Sequence, residues 1–134
     1  MQLFELFNTT KTYPYKMIGP NRALIELPDG VKVNLDLGYN IVFHVGDRKK
    51  TLDQQVLATT FSTIAEVISE WMAKNQPAVF QVLPGSSARE KIYRIMVARV
   101  LNQHPEYEAN EIPISDTSKL VGWKIRRRNE PSNE

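Results

Sequence analysis

The stretch from Ala78 to Val100, AVFQVLPGSSAREKIYRIMVARV, constrains the fold of this chain more than any other segment. It begins with a short, nearly continuous apolar run, which is typical of a strand buried on both faces. A Pro-Gly pair ends the run, and Ser87 with Glu90 then forms a capping box that opens a helix. The segment therefore predicts one strand followed at once by one helix.

The turn between that strand and that helix is a candidate anion-binding corner. The unpaired N–H groups of a helix N-terminus point outward, and small residues let a phosphate approach them. Its candidate ligand-binding residues are Gly85, Ser86, Ser87 and Arg89. The alternative is that Ser86 and Ser87 only cap an ordinary helix.

The rest of the chain predicts a meander followed by an α/β succession. Strands are expected at Tyr13 to Met17, Ala23 to Leu27, Val31 to Leu37, Tyr39 to Val45, Glu106 to Ile112 and Leu120 to Arg127. A short helical turn at Thr51 and a helix from Thr59 or Thr60 to about Asn75 separate the two groups. The prediction is a single α+β domain over residues 1–128, with the order β-β-β-β-α-β-α-β-β and a mixed, mostly antiparallel sheet. Residues 129–134 are expected to form a flexible tail.

Composition narrows the chemistry. The chain has 134 residues, a formal net charge of +2 and no cysteine, which excludes disulfides, a thiolate nucleophile and cysteine-ligated metals. His44 and His104 lack metal-ligand spacing, so no metal site is predicted. The N-terminus does not resemble a secretory signal, and no apolar run approaches the roughly 20 residues of a membrane span. We expect a cytoplasmic protein with no membrane partner.

The element order is similar to the core of the GNAT acyltransferase superfamily. Members often carry a motif like N-x-x-A-x-x-L-Y after the central strand, and this chain has Ser86, Arg89, Ile92 and Tyr93 at those spacings. The resemblance implies acetyl-CoA as cofactor and Tyr93 as the general acid that protonates the departing thiolate. The family's glycine-containing pyrophosphate loop has no counterpart, because no glycine lies between Arg48 and Phe61.

A second resemblance covers both helices. ATTFSTIAEVISEWM and the segment VFQVLPGSSAREKIYRIMVARVL look like small uncharacterised bacteriophage-encoded proteins. The matching residues are Phe61, Thr63 and Ile64, then Ser86, Arg89, Lys91, Ile92 and Tyr93. The resemblance implies a phage origin, the host-cell cytoplasm as location, and a host or virion protein as partner.

Basic residues form two clusters. The candidate nucleic-acid or partner surface consists of Arg48, Lys49, Lys50, Lys124, Arg126, Arg127 and Arg128. Together with the basic residues of the second helix these side chains could track a phosphate backbone. The alternative is a solvated face that discourages strand pairing at an edge.

Two functions follow as expectations. The first is a non-enzymatic binding protein, without cofactor, that contacts a host protein, a virion protein or nucleic acid. The second is a divergent acyl or small-group transferase, in which Thr59 and Thr60 at a helix N-terminus bind the CoA diphosphate and Tyr93 is the catalytic acid. A homodimer is compatible with either function.

Overall fold

The computed structural model of the protein describes residues 11–46, 54–84, 87–114 and 121–128. These residues form an α+β fold, with two helices and a mixed sheet of seven strands. In chain order the elements are β1 Tyr15–Met17, β2 Arg22–Glu26, β3 Lys32–Asp36, β4 Asn40–Val45, α1 Gln54–Asn75, β5 Val79–Val82, α2 Ser87–Gln103, β6 Tyr107–Pro113 and β7 Val121–Arg127. The predicted order of elements is confirmed for this part of the chain. The expected tail at 129–134 lies outside it.

The first four strands form an antiparallel meander, as the sequence predicts. The turn between β2 and β3 lies at Pro28-Asp29-Gly30, where Gly30 has a φ of 87°, a conformation that favours glycine. The Asp29 carboxylate accepts a hydrogen bond from the N–H of Val31 at 3.1 Å. This local chemistry fixes the register of the hairpin, so that Ile25 lies opposite Val33.

The sheet has the strand order β1-β2-β3-β4-β5-β7-β6. Its only parallel pair in the described chain is β4 with β5, because α1 carries the chain back across the sheet between these two strands. The pairing of β4 with β5 spans just two residues of each strand, Asn40 with Gln81 and Ile41 with Val82. All other described pairs are antiparallel.

Both helices pack on the same face of the sheet. On α1, the ring of Trp71 meets Phe80 of β5 edge to face, with centroids 5.3 Å apart. On α2, the guanidinium carbon of Arg94 lies 5.3 Å from the ring centroid of Trp123 on β7. Because side chains alternate along a strand, Gln81, Lys124 and their neighbours in register point the other way. We call the side of the sheet turned away from α1 and α2 the distal face.

The core lies between the helices and the sheet as one continuous cluster. Alternation places Val33, Leu35 and Leu37 in it, and each is at most 3% exposed. The apolar positions of α1 that the helical period selects, including Ile64 and Ile68, are buried in the same cluster. The residues that the amphipathic patterns predict to be buried are therefore residues of the observed core.

Candidate functional site

The parallel pair at the centre of the sheet creates the first candidate site. Strand β5 ends at Val82, the residue that forms its last pair with β4, whereas β4 continues to Val45 with β3 as its described partner. Beyond Ile41, the helix-facing side of β4 is therefore covered by side chains from the two helices. The predicted catalytic residue, Tyr93, lies at this position.

Three aromatic rings fill the space beside the end of β4. Phe43 of β4, Phe61 of α1 and Tyr93 of α2 lie with their ring centroids 5.6 to 5.9 Å apart, in edge-on and tilted arrangements. Phe61 is 3% exposed and Tyr93 is 5% exposed. Such contacts are favourable beyond the area that they bury. This aromatic cluster joins both helices to the central strand.

Arg89 lies at the solvent side of the aromatic cluster. Its guanidinium carbon is 5.6 Å from the ring centroid of Phe43, and it interacts with the Tyr93 hydroxyl one helical turn away. Burial raises the pKa of Tyr93 to about 12, although the charge and the hydrogen bond of Arg89 act in the opposite direction. At neutral pH the phenol is protonated and can donate a hydrogen bond or a proton, and the cation beside it can attract an anion.

The predicted start of the first helix at Thr59 or Thr60 is wrong. Helix α1 begins at Gln54, so both threonines lie in its second turn, where the backbone N–H groups bond within the helix. The Thr60 hydroxyl donates to the carbonyl of Val56 at 2.7 Å, and the Thr63 hydroxyl donates to the carbonyl of Thr59. Both threonines are almost completely buried. They are therefore not placed to offer free N–H groups to a diphosphate.

The predicted anion-binding corner is described in part. Gly85 and Ser86 lie outside the described residues, and Ser87 is the first residue of α2. Arg89 follows in the first turn of that helix and is exposed. Anion binding at this corner stays a prediction that rests on Ser87 and Arg89.

The candidate basic surface is divided between two faces. Arg48, Lys49 and Lys50 lie outside the described residues. In β7, Lys124 and Arg126 point to the distal face, whereas Arg127 is opposite Tyr107 on the helix-facing side. The side chain of Arg128 donates to the carbonyl of Tyr107 at 3.3 Å. The four basic residues of this segment therefore do not form one continuous surface.

Arg94 of α2 is neutralised by carboxylates. It forms ion pairs with Glu111 of β6 and with Glu90, one turn earlier in α2. Its guanidinium also covers the buried ring of Trp123. Arg94 therefore stabilises the contact between α2 and the β6–β7 edge and offers little charge to a phosphate.

A buried polar network links the C-terminal parts of both helices. The Ser69 hydroxyl of α1 lies 2.6 Å from His104 Nε2 and 2.8 Å from Gln103 Oε1, and His104 Nδ1 lies 3.1 Å from the Glu106 carboxylate. Hydrogen bonds from its own backbone N–H and then from His104 lower the pKa of Glu106. Ser69 and His104 are each 9% exposed. Sequence reasoning missed this network because Ser69 and His104 are 35 residues apart.

Comparison of the chain with protein-family models, with curated proteins and with solved structures finds no match. Across the described residues, no cluster of three or more histidine or acidic side chains could hold a metal ion. No helix in residues 54–75 or 87–103 is both long and apolar enough to cross a membrane.

Proposed function

We propose that this chain is a phage-encoded, non-enzymatic binding protein with a GNAT-like core, and that it contacts a host or virion protein in the host-cell cytoplasm. The strand order with one central parallel pair supports the GNAT-like core. The phage origin and its location rest on the resemblance of the two helical segments.

The observation that carries the non-enzymatic proposal is the aromatic cluster. In a GNAT-like core the acyl cofactor would lie beside the central parallel strands, where Phe43, Phe61 and Tyr93 are in mutual contact. A cofactor arm entering there would have to separate these rings, and Phe61 and Tyr93 are almost completely buried. The missing loop glycines and the burial of Thr59 and Thr60 support the same conclusion.

A protein partner is favoured over nucleic acid. The formal net charge is only +2, the basic residues of β7 are split between two faces, and Arg94 of α2 is paired with carboxylates. Continuous phosphate tracking needs several cations along one groove. Exposed aliphatic side chains such as Val42 and Leu83 suit a protein surface better.

The proposal is tested by thermal shift with CoA, acetyl-CoA, short DNA and short RNA, each titrated against the purified protein. A ligand at 100 times its dissociation constant stabilises a fold by about 2.7 kcal/mol, which is easily measured for a domain of this size. We expect no shift with CoA or acetyl-CoA. Turnover of acetyl-CoA with any amine acceptor would overturn the proposal. A salt-sensitive thermal shift with DNA or RNA would show that the partner is nucleic acid and not a protein.

One observation favours a second candidate, a divergent acyl or small-group transferase that uses acetyl-CoA. The Tyr93 phenol is protonated at neutral pH and lies beside Arg89, as a general acid next to a developing thiolate would. In that case Tyr93→Phe should slow turnover by roughly 10²- to 10⁴-fold while cofactor affinity stays constant. Equal turnover of the native protein and the variant would remove Tyr93 from the mechanism.

A further inference from the structure

An exposed apolar strip crosses the distal face of the sheet. Val42 of β4 is 41% exposed, Leu83 directly after β5 is 38% exposed, and Ile112 of β6 is half-buried. Val42 and Leu83 immediately follow Ile41 and Val82, which are partners in the ladder. Together, Val42, Leu83 and Ile112 form what we call the distal strip.

Gly122 makes the distal strip continuous. A Cβ atom at Gly122 would lie 2.5 Å from Cδ2 of Leu83, which shows that the leucine side chain lies directly over this glycine. Gly122 is in turn the ladder partner of Ile112. Leucine and isoleucine are therefore neighbours across β7, and the strip extends over four adjacent strands, β4, β5, β7 and β6.

Two cations lie on one side of the distal strip, in a line that runs away from it along β7. Lys124 and Arg126 follow Gly122 at two-residue steps, so they lie about 7 Å and 14 Å from it on the same face. Neither forms an ion pair with a residue that the structure describes. On this face, Glu108 lies opposite Arg126, and Asp36 lies opposite Val42 but is paired with Arg22. An excess of positive charge therefore remains beside the β5, β6 and β7 part of the strip.

The dimensions of the strip match one amphipathic helix. Three interstrand spacings of about 4.8 Å give a length of about 14 Å, which corresponds to about ten helical residues. A helix lying across the strands would place its apolar stripe on the strip, as in ordinary helix-on-sheet layers. One polar flank of such a helix would then face Lys124 and Arg126, and carboxylates on this flank would complement them.

We propose that the distal strip, with Lys124 and Arg126 beside it, is the docking surface for an amphipathic partner helix that carries acidic residues on one flank. This inference rests on the proposed function, because it names the surface and the partner chemistry of the binding protein. The apolar contacts supply most of the affinity. The two cations orient the partner helix and disfavour helices with basic residues on the same flank.

The test uses a synthetic, fluorescently labelled peptide with leucines on one helical stripe and glutamates on the adjoining flank. A second peptide with lysines in place of the glutamates is its control. We expect the acidic peptide to bind at least about tenfold more tightly than the basic one, with a difference that shrinks as salt rises. In NMR spectra of the native protein, the largest shifts on binding should occur at Leu83, Gly122 and Ile112.

Matched variants locate the binding. Val42→Ser and Leu83→Asp change exposed residues, so both variants should remain folded and should weaken binding of the acidic peptide by about tenfold or more. Ile18→Asp is the control, because Ile18 is 45% exposed and lies before β2, in the other half of the sheet. It should leave the affinity unchanged. Circular dichroism and thermal unfolding confirm that each variant is folded.

Three results would overturn the inference. They are equal affinity for the two peptides, unchanged affinity in both strip variants, or a native dimer that Leu83→Asp dissociates, which would make a second copy the occupant. Sedimentation velocity of the native protein and of this variant detects the last. Acetyl-CoA turnover with normal peptide binding would overturn the proposed function and leave the docking surface standing, so the two failures are distinguishable.

Discussion

Ionisation of Tyr93 should limit the stability of this fold at alkaline pH. The phenol is 5% exposed, in contact with Phe43 and Phe61, and burial raises its pKa from 10.0 to about 12. Between these two values the native state keeps a proton that the unfolded state has released. Stability linked to this group is therefore fully present below about pH 10 and is lost as the pH rises through about 12.

The magnitude follows from the size of the shift. A difference of about 2 pKa units at about 1.4 kcal/mol per unit gives a loss of stability of roughly 3 kcal/mol once the pH is well above 12. About half of this loss has already occurred at pH 11. Against a total stability of about 5 to 15 kcal/mol, this is a large fraction. Tyr93→Phe removes the ionisable hydroxyl and keeps the ring, so its cost at neutral pH should be only about 1 kcal/mol.

The assay is urea denaturation of the native protein and of Tyr93→Phe from about pH 8 to about pH 11. All other ionisable groups are the same in the two proteins, so the difference between the two curves isolates Tyr93. We expect the native protein to lose about 1.4 kcal/mol more than the variant by pH 11. The ultraviolet absorbance of tyrosinate, followed to higher pH, should show an ionisation near pH 12 that is missing from the titration of the variant.

Two results would refute this reasoning. One is equal loss of stability in the native protein and in Tyr93→Phe. The other is ionisation of Tyr93 near pH 10, the ordinary value for a tyrosine. Either result would mean that the aromatic cluster admits water and that the Tyr93 hydroxyl is not buried as the structure has it.

Three further perturbations test the packing. Phe61→Ala should cost about 3 to 5 kcal/mol in urea denaturation, because it opens a cavity in the aromatic cluster, and a loss below about 1 kcal/mol would contradict the buried position. Gly122→Ala should cost about 1 to 3 kcal/mol, since its Cβ would lie 3.0 Å from the Val82 carbonyl oxygen as well as against Leu83, and Leu83→Ala should recover part of this loss in a double-mutant cycle. Ser69→Ala should cost about 1 to 3 kcal/mol by leaving a ring nitrogen of His104 without its 2.6 Å partner, and an unchanged urea midpoint would show that the network contributes nothing.

Local patterns in the sequence predict most of the elements. The alternation of Val33, Leu35 and Leu37 predicts a half-buried strand. The Pro-Asp-Gly turn before this strand predicts that it forms a hairpin with the preceding strand. These predictions are confirmed because period and turn chemistry act over a few residues.

The start of α1 was predicted incorrectly. The helix expected from Thr59 or Thr60 begins at Gln54 in the described range, and the turn expected at Thr51 lies outside the described residues. Good helix formers precede the amphipathic stretch, so α1 begins earlier than that stretch indicates.

The candidate site depended more on tertiary structure. Tyr93 and Arg89 could be selected from their spacing on one helix, since residues four apart share a face. The residues around them could not be predicted, because Phe43 and Phe61 come from a strand and a helix that are distant in sequence. The division of the basic segment after Gly122 between two faces follows from strand alternation, which the grouping of Lys124 with Arg127 ignored.

The sequence by itself determined the class of fold, the order of the elements and the residues that enter the core, because each of these follows from local periodicity and turn chemistry. Tertiary structure alone decided which side chains meet. It brought three rings together beside β4, placed Ser69 against His104, and aligned Leu83 with Gly122 and Ile112 on an exposed face. Contacts of this kind join residues from different elements, and their formation depends on the packing of the whole chain rather than on the pattern within any one segment.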